Sequence, residues 1–229
     1  MKYFLSAFFV FVLVFVLGMF IFNITLEDFD CKNQYGECSL PVLEKIGEVK
    51  GKNIFFVKKE VAKRLDNNIS VKAYKISYKI PSYILVNLVE RKPIFAIGVK
   101  SDRKFVLVDE EGYALSVAER TNLPKVYTDN EFVNLGQVVD EKFLFSLKII
   151  SDVNYLYQVN EGELKEDKLE ILLPGKILTI FPLLGDRKVL VGSLNLILSQ
   201  LNDENNEFKI DTKENNLIID LRFKNPVIR

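Results

Sequence analysis

Histidine is absent from all 229 residues. That removes the Ser-His and Cys-His nucleophile pairs, the HExxH zinc helix and every imidazole acid/base scheme. Net charge is absent as well: 31 Lys+Arg balance 31 Asp+Glu, so no chain-wide field draws in nucleic acid, and a whole-chain DNA binder is disfavoured. Cysteine is scarce. Cys31 and Cys38 are the two present, too few for a zinc site that takes about four ligands and would find no His to help. Beyond the first segment there is no internal repeat and no low-complexity tract. Catalysis becomes the less favoured reading, and the length suits one or two small domains.

What the chain does contain is apolar. Hydrophobic residues make up 48% and aromatics 12%, which excludes a disordered chain, and part of that content sits in one segment. From Tyr3 to Ile24 the sequence YFLSAFFVFVLVFVLGMFIFNI carries no charge for 22 residues, about 33 Å as a helix. Sixteen of them are Phe, Ile, Leu or Val, for an insertion gain of about 5 to 10 kcal/mol. A cleaved signal peptide would have a shorter apolar region and a small-x-small site after it, whereas Ile24, Thr25, Leu26 and Glu27 follow here. The expectation is a retained single-pass anchor. Lys2 precedes the run while Glu27, Asp28 and Asp30 follow it, so the positive-inside bias puts the amino terminus in the cytoplasm and residues 25 to 229 outside. An oxidising exterior permits Cys31 and Cys38 to close a short disulfide loop. Two free thiols in a linker are the other reading.

Past Pro41 and the Gly47 to Gly51 stretch, Val57, Val61 and Leu65 recur every four residues and predict a short helix that ends at Asn67 and Asn68. Val71 to Ile80 and Tyr83 to Val89 read as two strands turned by Pro81-Ser82, with Ile84, Val86 and Leu88 alternating. The later residues are β-rich with two helices. Phe105 to Asp109 and Tyr113 to Ser116 predict a hairpin whose turn takes its positive φ at Gly112. Asp140 to Gln158 keeps helical spacing at Phe143, Leu147, Ile150 and Tyr157, with Asp140 as cap. Leu169 to Leu173 and Ile177 to Phe181 alternate about Pro174-Gly175 as a second hairpin, Arg187 to Leu201 returns to helical spacing, and Leu217 to Phe223 reads as a strand.

Enzyme motifs fail on inspection. Gly47 to Asn53 approaches a phosphate loop but is one residue short between glycines and ends in Asn where Ser or Thr should hold magnesium. Asp109-Glu110-Glu111 pairs carboxylates only at a hairpin apex, where solvent leaves them ordinary. Asp28 and Asp30 lack the Gly and Glu of a calcium loop. One local charge signal survives: between Lys50 and Lys79 nine basic residues face Glu60 and Asp66, nine minus two giving +7. It suits attraction to anionic headgroups or an acidic partner. An ordinary solvated face is the favoured reading, because Lys72 and Lys75 on an alternating strand point opposite ways.

The motifs carry a resemblance. Pro81, Ile84, Val86, Leu88, Glu90, Arg91 and Pro93 fit the P-x-x-L-x-I-x-V-x-E-R-x-P pattern that closes the POTRA domain of FtsQ/DivIB cell-division proteins. Gly51 and Asn53-Ile54-Phe55 are similar to its G-x-N-I-F approach, Leu107 to Gly112 to its V-D-x-x-G hairpin, and Leu123-Pro124 to its L-P. Ile219-Asp220-Leu221-Arg222-Phe223 resembles the IDLRF/Y segment near the family's carboxyl end. The family's usual first strand and helix read as compressed or absent between Pro41 and Lys52.

The resemblance implies a non-enzymatic divisome scaffold in the bacterial cytoplasmic membrane at the septum. It implies partners of the FtsB/DivIC and FtsL type and needs no cofactor. Carried over by position, it places partner binding at Phe223, Lys224, Pro226, Val227, Ile228 and Arg229, where a sheet edge would pair with a partner strand. The expected fold is α+β: residues 1–24 the cytoplasmic start and anchor, 25–43 a linker with the Cys pair, 44–97 a small POTRA-like αββ domain, and 98–229 a mainly antiparallel β domain with two packed helices. A membrane-attached cell-wall enzyme, and an extracytoplasmic POTRA chaperone or sensor module, are the other readings.

Overall fold

The computed structural model describes residues 24–79, 81–100, 102, 104–129, 133–201 and 217–229, together with Val12. The anchor expected over residues 3–24 therefore lies, but for Val12 and Ile24, outside the described residues. Among the described residues no helix is long and apolar enough to cross a membrane. The fold is α+β, and the chain divides between Arg91 and Lys92 into two compact units.

In the first unit strand β1 (Asp28–Asn33) turns back as β2 (Gly36–Glu37), and helices α1 (Leu40–Gly47) and α2 (Ile54–Asp66) precede strands β3 (Val71–Lys79) and β4 (Tyr83–Glu90). The sheet order is β2-β1-β4-β3. Helix α2 forms where the sequence predicts it. The Asn53 side chain accepts a hydrogen bond from the Phe55 N–H at 3.0 Å as an N-cap, and Ile54, Val57, Val61 and Leu65 are its buried stripe. Val57, Val61 and Leu65 of that stripe pack with Ile76, Ile84, Val86 and Leu88 of the sheet and with Val42 and Ile46 of α1.

Two expectations are corrected here. Residues 25–43 are not a linker: β1 lies parallel to β4 in the register Asp28↔Tyr83 to Lys32↔Asn87. Pairing with β4 along Asp28 to Lys32, and with β2 at Lys32 and Asn33, holds this polar sequence as a strand that spacing alone does not reveal. Nor is a strand or helix compressed or absent ahead of Lys52: β1 precedes Pro41, and Pro41 lies in the first turn of α1.

The second unit holds β5 (Phe95–Val99), β6 (Phe105–Val108), β7 (Ala114–Ala118), β8 (Lys125–Thr128), α3 (Glu141–Tyr157), β9 (Glu161–Leu164), β10 (Leu169–Leu173), β11 (Ile177–Phe181), α4 (Arg187–Leu201), β12 (Ile218–Asp220) and β13 (Val227–Ile228). They build one nine-stranded sheet in the order β13-β12-β11-β10-β9-β8-β5-β6-β7. Three neighbouring pairs are parallel, β5 with β8, β8 with β9 and β11 with β12, and the other five are antiparallel. A boundary at 97/98 would cut β5, all five residues of which are buried; the strand belongs wholly to this sheet.

Helices α3 and α4 join one core with the sheet. Leu147, Ile149, Ile150 and Val153 of α3 and Val191, Leu194 and Leu198 of α4 are buried with Val126, Leu169, Ile171, Phe181 and Ile219 of the strands. Asp140 caps α3 by accepting from the Lys142 N–H at 3.2 Å, and Asp186 caps α4 through Lys188 and Val189. Gly98 is opposite Phe105 on one neighbour and Tyr127 on the other, and the two rings meet edge to face with centres 6.0 Å apart.

Asp109 is a further correction. It is buried, not solvated at a hairpin apex, because its carboxylate accepts from the backbone N–H groups of Glu111 at 3.0 Å and Tyr113 at 2.8 Å, holding the turn closed around Gly112 at φ +86°.

Candidate interaction edge

The segment from Leu217 onward closes one side of the nine-stranded sheet. Leu217, Ile219 and Leu221 are buried, and the backbone is bonded to β11 from Leu178 N to Leu217 O and from Leu221 N to Ile180 O, both 2.8 Å. Regular pairing ends at Asp220. The strand expected to reach Phe223 stops three residues earlier because the chain turns through Leu221 to Pro226 and returns as β13. Phe223 is consequently not a core aromatic closing the sheet; it is 56% exposed on the turn.

The turn is held by a buried carboxylate. Asp220 accepts from the Arg222 backbone N–H and Nε, each at 3.1 Å, and from Nη2 at 3.0 Å, while Nη1 reaches Asp167 at 2.9 Å. Those hydrogen bonds outweigh the cost of burial and hold the Asp220 carboxyl below its ordinary range, and they raise Arg222 in turn. The guanidinium carbon lies 6.0 Å from the Phe223 ring centre, a cation–π contact on the exposed turn. An Asp inside the apolar run Leu217 to Leu221 was the available signal for this clamp, since a buried charge requires a partner.

Strand β13 pairs antiparallel with β12 in the register Ile219↔Ile228 and Asp220↔Val227. Ile218 N donates to Arg229 O at 2.7 Å and Arg229 N to Ile218 O at 3.0 Å. Ile218 and Arg229 thus form a hydrogen-bonded pair, and strand alternation makes Ile219 and Ile228 a non-bonded pair whose N–H and C=O groups point away from each other. Those of Ile219 turn toward β11; those of Ile228 turn out of the sheet. Among the described residues no strand pairs with β13 on that side. Val227 is 40% and Ile228 42% exposed, although Ile228 lies opposite fully buried Ile219. The core face thus runs to the edge and stops there uncovered. Lys224, Pro226 and Arg229 are also exposed. The edge can accept one extended segment, with a donor and an acceptor at Ile228 and an apolar shelf beside them.

Elsewhere on the sheet, a groove of about 510 Å³ is lined by Lys100, Tyr127, Glu163, Glu170, Leu172 and Leu178 among others. Its carboxylates are paired. Glu170 contacts Lys165 at 2.6 Å and Lys168 at 2.8 Å, and Glu163 contacts Lys100. Burial would raise the Glu170 carboxyl, yet the two ammonium groups together hold it below its ordinary range, opposite to what a general acid needs. In the first unit Cys31 and Cys38 are joined by a disulfide with Cα atoms 5.5 Å apart.

These features define a class: a two-unit α+β protein whose larger sheet ends in a short edge strand, free on one side among the described residues. The chain is similar to the cell division protein FtsQ of Rickettsia bellii, with 35% identity over 92 residues, which is 40% of this chain. It is FtsQ/DivIB-like over that stretch. The chain covers about a third, 34%, of the relative's length. No family model matches it.

Proposed function

We propose that the protein is a non-enzymatic scaffold of cell division, anchored in the bacterial cytoplasmic membrane by residues 3–24, whose exterior units gather other single-pass division proteins at the septum. The observation that carries this reading is the outward-facing backbone of Ile228 on an unfilled edge. A partner of the FtsB/DivIC or FtsL type adds a strand to β13, with Phe223, Lys224, Pro226, Val227, Ile228 and Arg229 around the seam. The mechanism is tethered contact. Because both proteins are confined to one membrane plane, an edge affinity that is weak in bulk solution suffices through raised effective concentration. No bond is made or broken. The similarity to a cell division protein supports the cellular role, and the paired, acid-shifted carboxyl of Glu170 gives the cell-wall-enzyme reading no support.

The test is photo-crosslinking in growing cells from a reactive residue at Val227 of the full chain. A covalent adduct with a bitopic division protein is expected, lost when Phe223→Ala and Ile228→Asp are added while the melting temperature of the exterior hardly changes. Adducts that persist in the double variant, or binding and folding lost together, would sink the reading.

A further inference from the structure

Helix α2 begins against the first described residues after the apolar run. Ile54 N donates to Ile24 O at 3.0 Å, Leu26 N to Lys52 O and Gly51 N to Leu26 O at 2.8 Å each, and Thr25 bridges Asn53. The β3–β4 turn lies at the same end, since Glu27 N donates to Ser82 O at 2.9 Å and Asp28 is level with Tyr83. Whatever surrounds Ile24 therefore surrounds the first turn of α2 as well.

That end of the unit is built unlike a face meeting water. Phe55 and Phe56 are 51% and 64% exposed, while Ile54 and Val57 on either side turn inward. Tyr78 lies beside them, its hydroxyl donating to the Phe55 carbonyl at 3.5 Å and its ring centre 5.9 Å from the Lys58 ammonium; on the opposite face of the sheet at the same end, the Lys79 ammonium is 5.4 Å from the Tyr83 ring centre. The local charge also divides. Lys50 is matched by Asp28 at 2.7 Å and Lys52 by Glu60 at 2.5 Å, whereas Lys58, Lys59 and Lys79 meet no carboxylate among the described residues. Adjacent exposed phenyl rings, tyrosines and unmatched lysines next to the end of a 22-residue uncharged run have the composition of an interfacial belt.

We propose that this end of the first unit rests on the membrane, with Phe55 and Phe56 seated at the boundary of headgroups and acyl chains and Lys58, Lys59 and Lys79 on anionic lipid phosphates. The inference rests on the reading of residues 3–24 as a membrane span. If Ile24 is at the bilayer surface, a residue one hydrogen bond away is within a few ångströms of that surface. Part of the +7 segment thereby gains a lipid partner, and the lysines of β3 nearer its other end do not.

The sequence contains no Trp, so a single introduced Trp reports its own surroundings in the full chain. Variants Phe11→Trp (within the run), Phe56→Trp and Tyr35→Trp are reconstituted in phosphatidylcholine/phosphatidylglycerol vesicles with brominated acyl chains. Tyr35 is 70% exposed at the β1–β2 turn, about 25 Å along the strand from Leu26. The expected result is strong quenching at position 11, clear quenching with blue-shifted emission at 56, and neither at 35. Lys58→Glu with Lys59→Glu, or removal of phosphatidylglycerol, should at least halve the quenching at 56. Quenching at 11 with water-like emission at 56 would overturn the inference and leave the anchor standing. No quenching at 11 would overturn the anchor and the inference with it. Quenching at 56 that ignores both lysines and lipid charge would overturn the anionic-lipid assignment.

Discussion

Ile218 and Arg229 exchange both of their backbone hydrogen bonds, at 2.7 and 3.0 Å, and that pairing turns the amide of Ile228 away from its own sheet. Its N–H has no part in holding β13 to β12, so it can be removed without breaking the fold. Ile228→Pro deletes that donor at an edge position where proline is tolerated. Partner binding should weaken by about tenfold or more, while stability stays within about 0.5 kcal/mol of the parent. Titration calorimetry and thermal melts of the same variant read the two effects separately.

The Cys31–Cys38 bond closes a loop with a sequence separation of 7. For a loop of that size, chain entropy corresponds to about 2.5 kcal/mol at 25 °C. Cys31→Ser with Cys38→Ser should lower the stability of the first unit by about that much. Denaturant unfolding with and without reductant measures it, and reductant should not destabilise the double variant further.

Gly98 is opposite Phe105 and Tyr127, and an added Cβ would come within 2.9 Å of the Phe105 Cε1 and 3.1 Å of the Tyr127 Cδ1. Gly98→Ala forces both rings aside and should cost about 1 to 3 kcal/mol. A melt of the second unit should show it, and Phe105→Leu in the same chain should return part of the loss.

Acid should destabilise the second unit through two groups. Hydrogen bonding to Arg222 lowers the Asp220 carboxyl, and Lys165 with Lys168 lower that of Glu170 despite its burial. Between the folded and the ordinary, unfolded values the unfolded chain binds more protons, so stability rises with pH there. The contribution is complete above the ordinary carboxylate range and is lost as pH falls through the lowered values. Asp220→Asn should flatten that acid limb in urea unfolding followed from pH 6 to pH 2, with lower stability at pH 6.

Periodicity made α2, α3, α4 and the two tight hairpins legible, though not α1: Leu147 and Ile150, or Leu194 and Leu198, recur as helical faces do, and Gly112 and Gly175 mark the hairpin turns. Strands that depend on distant pairing were not legible. β5 is buried on both faces and has no alternation, β9 reads Glu-Gly-Glu-Leu, and β1 carries two Asp residues and a Cys. Each is held by a parallel neighbour distant in sequence, which no local pattern announces. At the edge, the residues Val227 and Ile228 came from resemblance alone, and the return of the chain through the Arg222 clamp has no periodic signal. Nor did the exposure of Phe55 and Phe56 show in a sequence where they read as ordinary apolar positions.

The most direct test of strand addition is the hydrogen exchange of the Ile228 amide in residues 25–229, measured before and after addition of a partner segment of the FtsB/DivIC type. Exchange should be fast alone and slow at least tenfold in the complex, with the Ile219 amide protected throughout. An Ile228 amide that keeps exchanging freely while the partner is bound would contradict pairing at this edge.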